Sequence, residues 1–81
     1  MKVITLLKVG ITHLEDAWNT LSKLNNLISI STTAGSYDMV LEFEVDSPEK
    51  LHDIFLKIDQ ISGIIDSESL LVLKELSPWG E

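Results

Sequence analysis

The residues best placed to do chemistry in this 81-residue chain stand together in "TTAGSYDMV", Thr32 to Val40. Gly35, Ser36, Tyr37 and Asp38 put a flexible backbone, two hydroxyls and a carboxylate within four consecutive positions. Such a stretch is either a tight turn or a place where something binds. Gly-Ser between two extended runs is a hairpin signal, with glycine at the first central position of a type II′ turn. Tyr37 then serves as a strand aromatic, and Asp38 as an acceptor for turn backbone. On the residues alone the turn reading comes first.

Other reactive groups are few. There is no cysteine, which excludes a thiolate metal site, a cysteine nucleophile and a disulfide framework. His13 and His52 each fall on the polar side of a helical pattern, with no metal-ligating residue at i+4. No metal or other cofactor is therefore expected. Glu42 and Glu44 alternate onto one strand face with Asp38, which reads as a solvated face rather than a paired-carboxylate active site. The serines lack a nucleophile elbow of the form G-x-S-x-G. The formal net charge is −7, and all six basic residues are lysines. Without a basic face the chain is not expected to contact nucleic acid directly. An anion site would have to use backbone N–H groups or lysine, because arginine is absent.

The elements that carry these groups follow from periodicity. Residues 2–9, "KVITLLKV", read as a strand. Thr12-His13-Leu14-Glu15 has the form of a capping box. Leu14, Ala17, Trp18, Leu21 and Leu24 then give an apolar helix face, with Trp18 expected in the core. Asn25-Asn26 ends it, since asparagine tolerates the left-handed conformation. Residues 27–34 form a second strand, with Ile28 and Ile30 on one face; residues 37–45 form a third, with Tyr37, Met39, Leu41, Phe43 and Val45 on one face. Ser47-Pro48 starts a second helix whose apolar face is Leu51, Ile54, Phe55, Ile58 and Ile61, and Gly63 suits its stop. A fourth strand covers 64–75. Residues 1–76 thus form one domain and 77–81 a short tail, in which Trp79 is expected to pack against a neighbour.

The order is β-α-β followed by β-α-β, with the same spacing of apolar residues in both helices. The fold expected is α+β, a ferredoxin-like split βαβ unit: a four-stranded antiparallel sheet with two helices on one face. The other face should be polar in a lone protomer. Yet the first and fourth strands are apolar on both faces. Exposing both would leave a patch that monomers rarely carry, so sheet-to-sheet association with a second copy is expected, burying Ile4, Leu6, Val40, Leu70 and Val72. The alternative is that strand ends curl under the helices. No run is long enough to span a bilayer and no signal peptide is visible, so a cytoplasmic protein without membrane contact is expected.

The order and spacing of "TTAGSYDMVLEFEVDSPEKLHDI" and "ISGIIDSESLLVL" resemble the effector-binding domain of the Lrp/AsnC (feast/famine) transcription regulators. Gly35, Tyr37, Asp38, Asp46, Leu51, Gly63 and Leu70 to Leu73 stand in that family's places, and the resemblance runs from Lys2 to Glu75. The chain begins at the first strand, so it looks like the stand-alone form of the domain, the RAM module. The resemblance implies dimers paired through their sheets, larger rings that are often octamers, and a free amino acid bound between dimers beside the hairpin. Gly35 and Ser36 would offer turn N–H groups to its carboxylate, and Tyr37 and Asp38 would border it, the aspartate suiting the ammonium. Ser67 and Ser69 stand where the family often has threonines and join the candidate ligand set. On that footing Asp38→Ala would blunt a ligand response and leave folding intact. Asn26-Leu27 departs from the usual pattern at a surface turn.

The resemblance therefore implies a non-catalytic amino-acid-binding and oligomerisation module in transcriptional or metabolic regulation, acting freely or with full-length Lrp/AsnC regulators. Two rivals remain: a small dimeric ferredoxin-like enzyme of the monooxygenase type, and a structural assembly unit that binds nothing.

Overall fold

The computed structural model describes residues 1–76. Its elements are β1 (Lys2–Val9), a short 3-10 turn (Ile11–His13), α1 (Leu14–Leu21), β2 (Leu27–Thr32), β3 (Met39–Glu44), α2 (Pro48–Asp59) and β4 (Ile64–Leu71). The strands form one antiparallel sheet in the order β2-β3-β1-β4. This is the expected split βαβ arrangement. The expected tail, 77–81 with Trp79, lies outside the described residues.

Alternation sets the two faces of the sheet. Val3, Leu7 and Val9 of β1 and Met39, Leu41 and Phe43 of β3, continued by Val45, are buried together with Ala17 and Leu21 of α1 and Ile54 and Ile58 of α2. These side chains form the core between sheet and helices. Ser47 caps α2 as expected, its Oγ accepting the Lys50 N–H at 3.3 Å with Pro48 in the first turn. The residues between them on β1 and β3, Ile4, Leu6 and Val40, point to the helix-free face and are half-buried.

Four local expectations are corrected. Thr12 does not cap α1: the helix starts after the 3-10 turn, which Gly10 closes by accepting the His13 N–H at 2.8 Å, and no side chain caps it. α1 ends at Leu21, before the asparagines; Asn26 does take the left-handed conformation, φ 69°, at the entry to β2. Trp18 lies at the flank of the buried stripe and is 37% exposed, so it is not a core residue. Ile28 sits where the β2–β3 register shifts between Leu27 and Ser29, and is exposed, while Ile30 pairs with Leu41 and packs on the core.

β4 is the edge strand that the helices leave bare. Only Ile64 is partly buried within it, and Ile65, Leu70 and Leu71 are exposed. It is shorter than expected, ending at Leu71, although the Val72 N–H still donates to the Lys2 carbonyl at 3.0 Å.

Candidate functional site

The hairpin between β2 and β3 is not the expected two-residue type II′ turn. The Thr33 N–H donates to the Asp38 carbonyl at 2.9 Å, so the closing pair encloses residues 34–37. Thr33 Oγ1 also donates to the Tyr37 carbonyl at 2.9 Å. Gly35 adopts φ 134° at an open tip, where a Cβ would meet no atom within 4 Å. Gly35 and Ser36 are both exposed.

The loop is wider because Asp38 is tied to β1 rather than to the turn. Its N–H donates to the Leu7 carbonyl at 2.8 Å, and its Oδ2 accepts the Val9 N–H at 2.8 Å. One carboxylate oxygen thus carries the β1–β3 pairing on to Val9, beyond its last ladder pair, Leu7 with Met39. This revises the expectation that the aspartate can be removed without cost. Asp38→Ala should lower stability by about 1.5 kcal/mol, since a part-buried backbone N–H loses a charged acceptor. That is roughly 6–12 °C in melting temperature for a domain of this size. A melt coincident with the parent's would show that the bond contributes nothing.

Tyr37 reaches the other way. Its hydroxyl donates to Glu68 Oε2 at 2.9 Å, a bridge from the hairpin to β4 that passes over β1. The Glu68 carboxylate that accepts this bond holds the phenol above its ordinary pKa, with some desolvation adding to it. Glu68 pairs with Leu6 and so belongs to the helix-free face.

Ser67 and Ser69 occupy the opposite face. They pair with Leu7 and Thr5, whose side chains point to the helix side. Ser69 Oγ lies 2.9 Å from Thr5 Oγ1, and Thr5 is 1% exposed. The Ser69 hydroxyl therefore satisfies a buried hydroxyl. Ser67 and Asp38 flank Leu7 from β4 and β3, about two strand spacings or roughly 10 Å apart. One protomer thus joins Tyr37 to Glu68 and Asp38 to Val9, but does not bring the two serines to the hairpin. Sequence reasoning missed Glu68, Thr5 and Val9. Only Glu68 carried a signal, as an acid flanked by two serines in the middle of the fourth strand.

The residues expected at a sheet-to-sheet contact do share one surface. Ile4 pairs with Leu70, Leu6 pairs with Val40, and Val72 follows β4 beside Lys2. All five lie on the helix-free face, and Leu70 is 46% exposed. Lys2 borders the stripe, with Nζ 2.6 Å from Glu75 Oε1 and 3.4 Å from Glu42 Oε1. The hydrogen bond to Glu75 raises the lysine pKa, opposed by desolvation and aided by Glu42.

A groove of about 480 Å³ runs on the other side of the molecule, between α1 and the end of α2. His13 forms part of its rim and packs over Gly63. It is exposed, as its place on the polar side of the pattern leads one to expect, but it belongs to the 3-10 turn rather than to the helix. Among the described residues, no three His, Cys, Asp or Glu side chains gather closely enough to hold a metal ion. No helix among them is long and apolar enough to cross a membrane.

A family model described as the Lrp/AsnC ligand binding domain matches residues 2–79. The HTH-type transcriptional regulator FL11 of Pyrococcus horikoshii is 27% identical over 74 residues, which are 91% of this chain and 49% of that protein. The chain thus spans about half the length of that curated relative. TTHA0845 of Thermus thermophilus superposes with a TM-score of 0.87 at 18% identity, covering 94% of this chain and 96% of that one. E. coli AsnC gives 0.84 at 21% identity, over 91% of this chain and 51% of AsnC. A transcriptional regulator of Neisseria meningitidis, NMB0573, solved in complex with L-Met, gives 0.77 at 18% identity, over 94% and 51% of the two chains. At these identities the superpositions establish the shared fold.

Proposed function

Because the chain belongs to the Lrp/AsnC ligand-binding domain family, a family of regulatory effector-binding modules rather than of catalysts, we propose that it binds a free amino acid and that occupancy governs its assembly. The family match along residues 2–79 carries this reading. The Neisseria regulator's complex with L-Met supports the ligand class.

The ligand would lie beside the 34–37 loop. Gly35 and Ser36 offer exposed backbone N–H groups to a carboxylate, and the space at Gly35 is open. Asp38 keeps one carboxylate oxygen for an ammonium while the other holds Val9. Ser67 and Ser69 stand across β1 from this loop, so they would complete a site only from another copy of the chain. Within one protomer Tyr37 fastens the hairpin to β4 through Glu68. Assembly through the helix-free face, in dimers and then rings, is part of the same proposal, as are full-length regulators of the family as partners and action in the cytoplasm.

The experiment is a thermal-shift screen of the common amino acids, with sedimentation velocity on any that respond. A ligand that binds only the native state adds about 2.7 kcal/mol at a hundredfold excess over its Kd. That predicts a rise of roughly 10 °C or more at saturation for the preferred amino acid. If none raises the melting temperature at millimolar concentration, the chain does not sense free amino acids.

A further inference from the structure

We propose that the groove between α1 and α2 is a second ligand site, for an elongated zwitterion of short-peptide size. Nothing in this inference requires the amino-acid site at the hairpin.

Asp16 and Thr20 of α1, with His13 from the 3-10 turn before it and Leu24 from the segment after it, form one wall. Lys57 and Gln60 from the end of α2, with Ile61 and Ser62 after it, form the other. Each wall therefore carries one large apolar residue, Leu24 or Ile61, and one charge, a carboxylate at Asp16 and an ammonium at Lys57. Among the described residues no ion pair engages either Asp16 or Lys57. Unpaired charges of opposite sign on facing walls suit a ligand that carries both signs, its ammonium toward Asp16 and its carboxylate toward Lys57.

Size argues for more than one amino acid. A volume of about 480 Å³ lies within the range that holds drug-sized ligands. A smaller hollow of about 70 Å³, bordered by Asn26, Lys50 and Asp53, adjoins it through the shared Leu24 and Lys57. Together they follow α2 from Gln60 back to Lys50, which is about 15 Å at 1.5 Å per residue. An extended peptide of three residues fits that length.

The rim is also fixed. The Gly10 N–H donates to the Gly63 carbonyl at 2.9 Å, and His13 packs on the bare Cα of Gly63. The turn before α1 is thereby fastened to the segment after α2, and a ligand need not order these walls on binding.

The test uses the whole ¹⁵N-labelled chain, titrated separately with trileucine, with N-acetyl-trileucine amide and with free leucine. Trileucine should give saturable shifts at the amides of Asp16, Thr20, Lys57 and Ile61, with a Kd near or below about 1 mM. The capped, uncharged peptide should bind at least about tenfold more weakly, as should Asp16→Asn and Lys57→Met with trileucine. Thr20→Trp, an exposed position where the ring fills the groove, should abolish the shifts while the spectrum stays folded. Free leucine should leave the groove amides unmoved, and shifts it causes at residues 33–38 report on the hairpin site alone. The proposal is overturned if trileucine gives no saturable shift at roughly 10 mM, or shifts only the hairpin amides, or binds as well when capped or to the charge variants.

Discussion

Gly63→Ala should lower the melting temperature by roughly 12–24 °C, the largest stability loss expected from adding a single methyl group here. Two costs coincide at this position. Its φ of +90° is one that L side chains rarely adopt. In addition, an alanine Cβ would overlap the Cβ and Cγ of His13 and come within 2.9 Å of Cδ2. Those first two atoms lie next to the backbone of the 3-10 turn, so they cannot swing aside without moving it. Strain and overpacking together cost about 3 kcal/mol. Gly35→Ala is the control. Its φ of +134° is also unfavourable, but a Cβ there meets nothing within 4 Å, so its cost should stay near about 1 kcal/mol. In the background of His13→Gly, which removes the overlapping atoms, Gly63→Ala should recover about half of its loss. Equal melting temperatures for the two alanine variants would show that His13 imposes no constraint.

The same contact shows where the sequence could and could not be read. Strand β3 was legible because Met39, Leu41, Phe43 and Val45 alternate without interruption and all are buried. The start of α2 was legible because Ser47-Pro48 caps by purely local bonds. The start of α1 was not. Thr12 to Glu15 satisfies the capping pattern, yet Gly63, some fifty residues away, holds His13 and Gly10 in a 3-10 turn instead. A local pattern lost to a tertiary contact that no window of residues contains. Asp38 repeats the point: its position after a glycine suggested turn chemistry, and its carboxylate went to Val9 on another strand. The hydroxyls of Ser67 and Ser69 carry no local mark of their partners; the register of β4 on β1 turns both toward the helix side and gives Ser69 to Thr5. What period-two and helical spacing could show was which residues share a face, not which bonds their polar groups would make.

Leu6→Lys should convert the assembled protein to single protomers while leaving the protomer folded. Leu6 lies at the middle of the helix-free face, between Val40 on β3 and Glu68 on β4. In a lone protomer a lysine there points to water beside Glu68, an opposite-charge cross-strand pair worth a few tenths of a kcal/mol or more. Between two sheets the same ammonium would be stripped of water among Ile4, Val40 and Leu70, which costs several kcal/mol. The asymmetry separates assembly from folding, which a truncation to alanine would not do. Dissociation should be strengthened at least about a thousandfold, giving protomers in sedimentation velocity at micromolar concentration with an unchanged circular dichroism spectrum. The parent chain should sediment as a dimer or larger under the same conditions, because Leu70 and its half-buried neighbours Ile4, Leu6 and Val40 would otherwise stay in water together on one face. If the parent is already a protomer, the serines of β4 never meet the hairpin of a second copy, and the composite amino-acid site is lost. If the parent assembles and Leu6→Lys assembles equally well, the contact lies elsewhere, and the bare edge and helix side of β4 become the surfaces to probe.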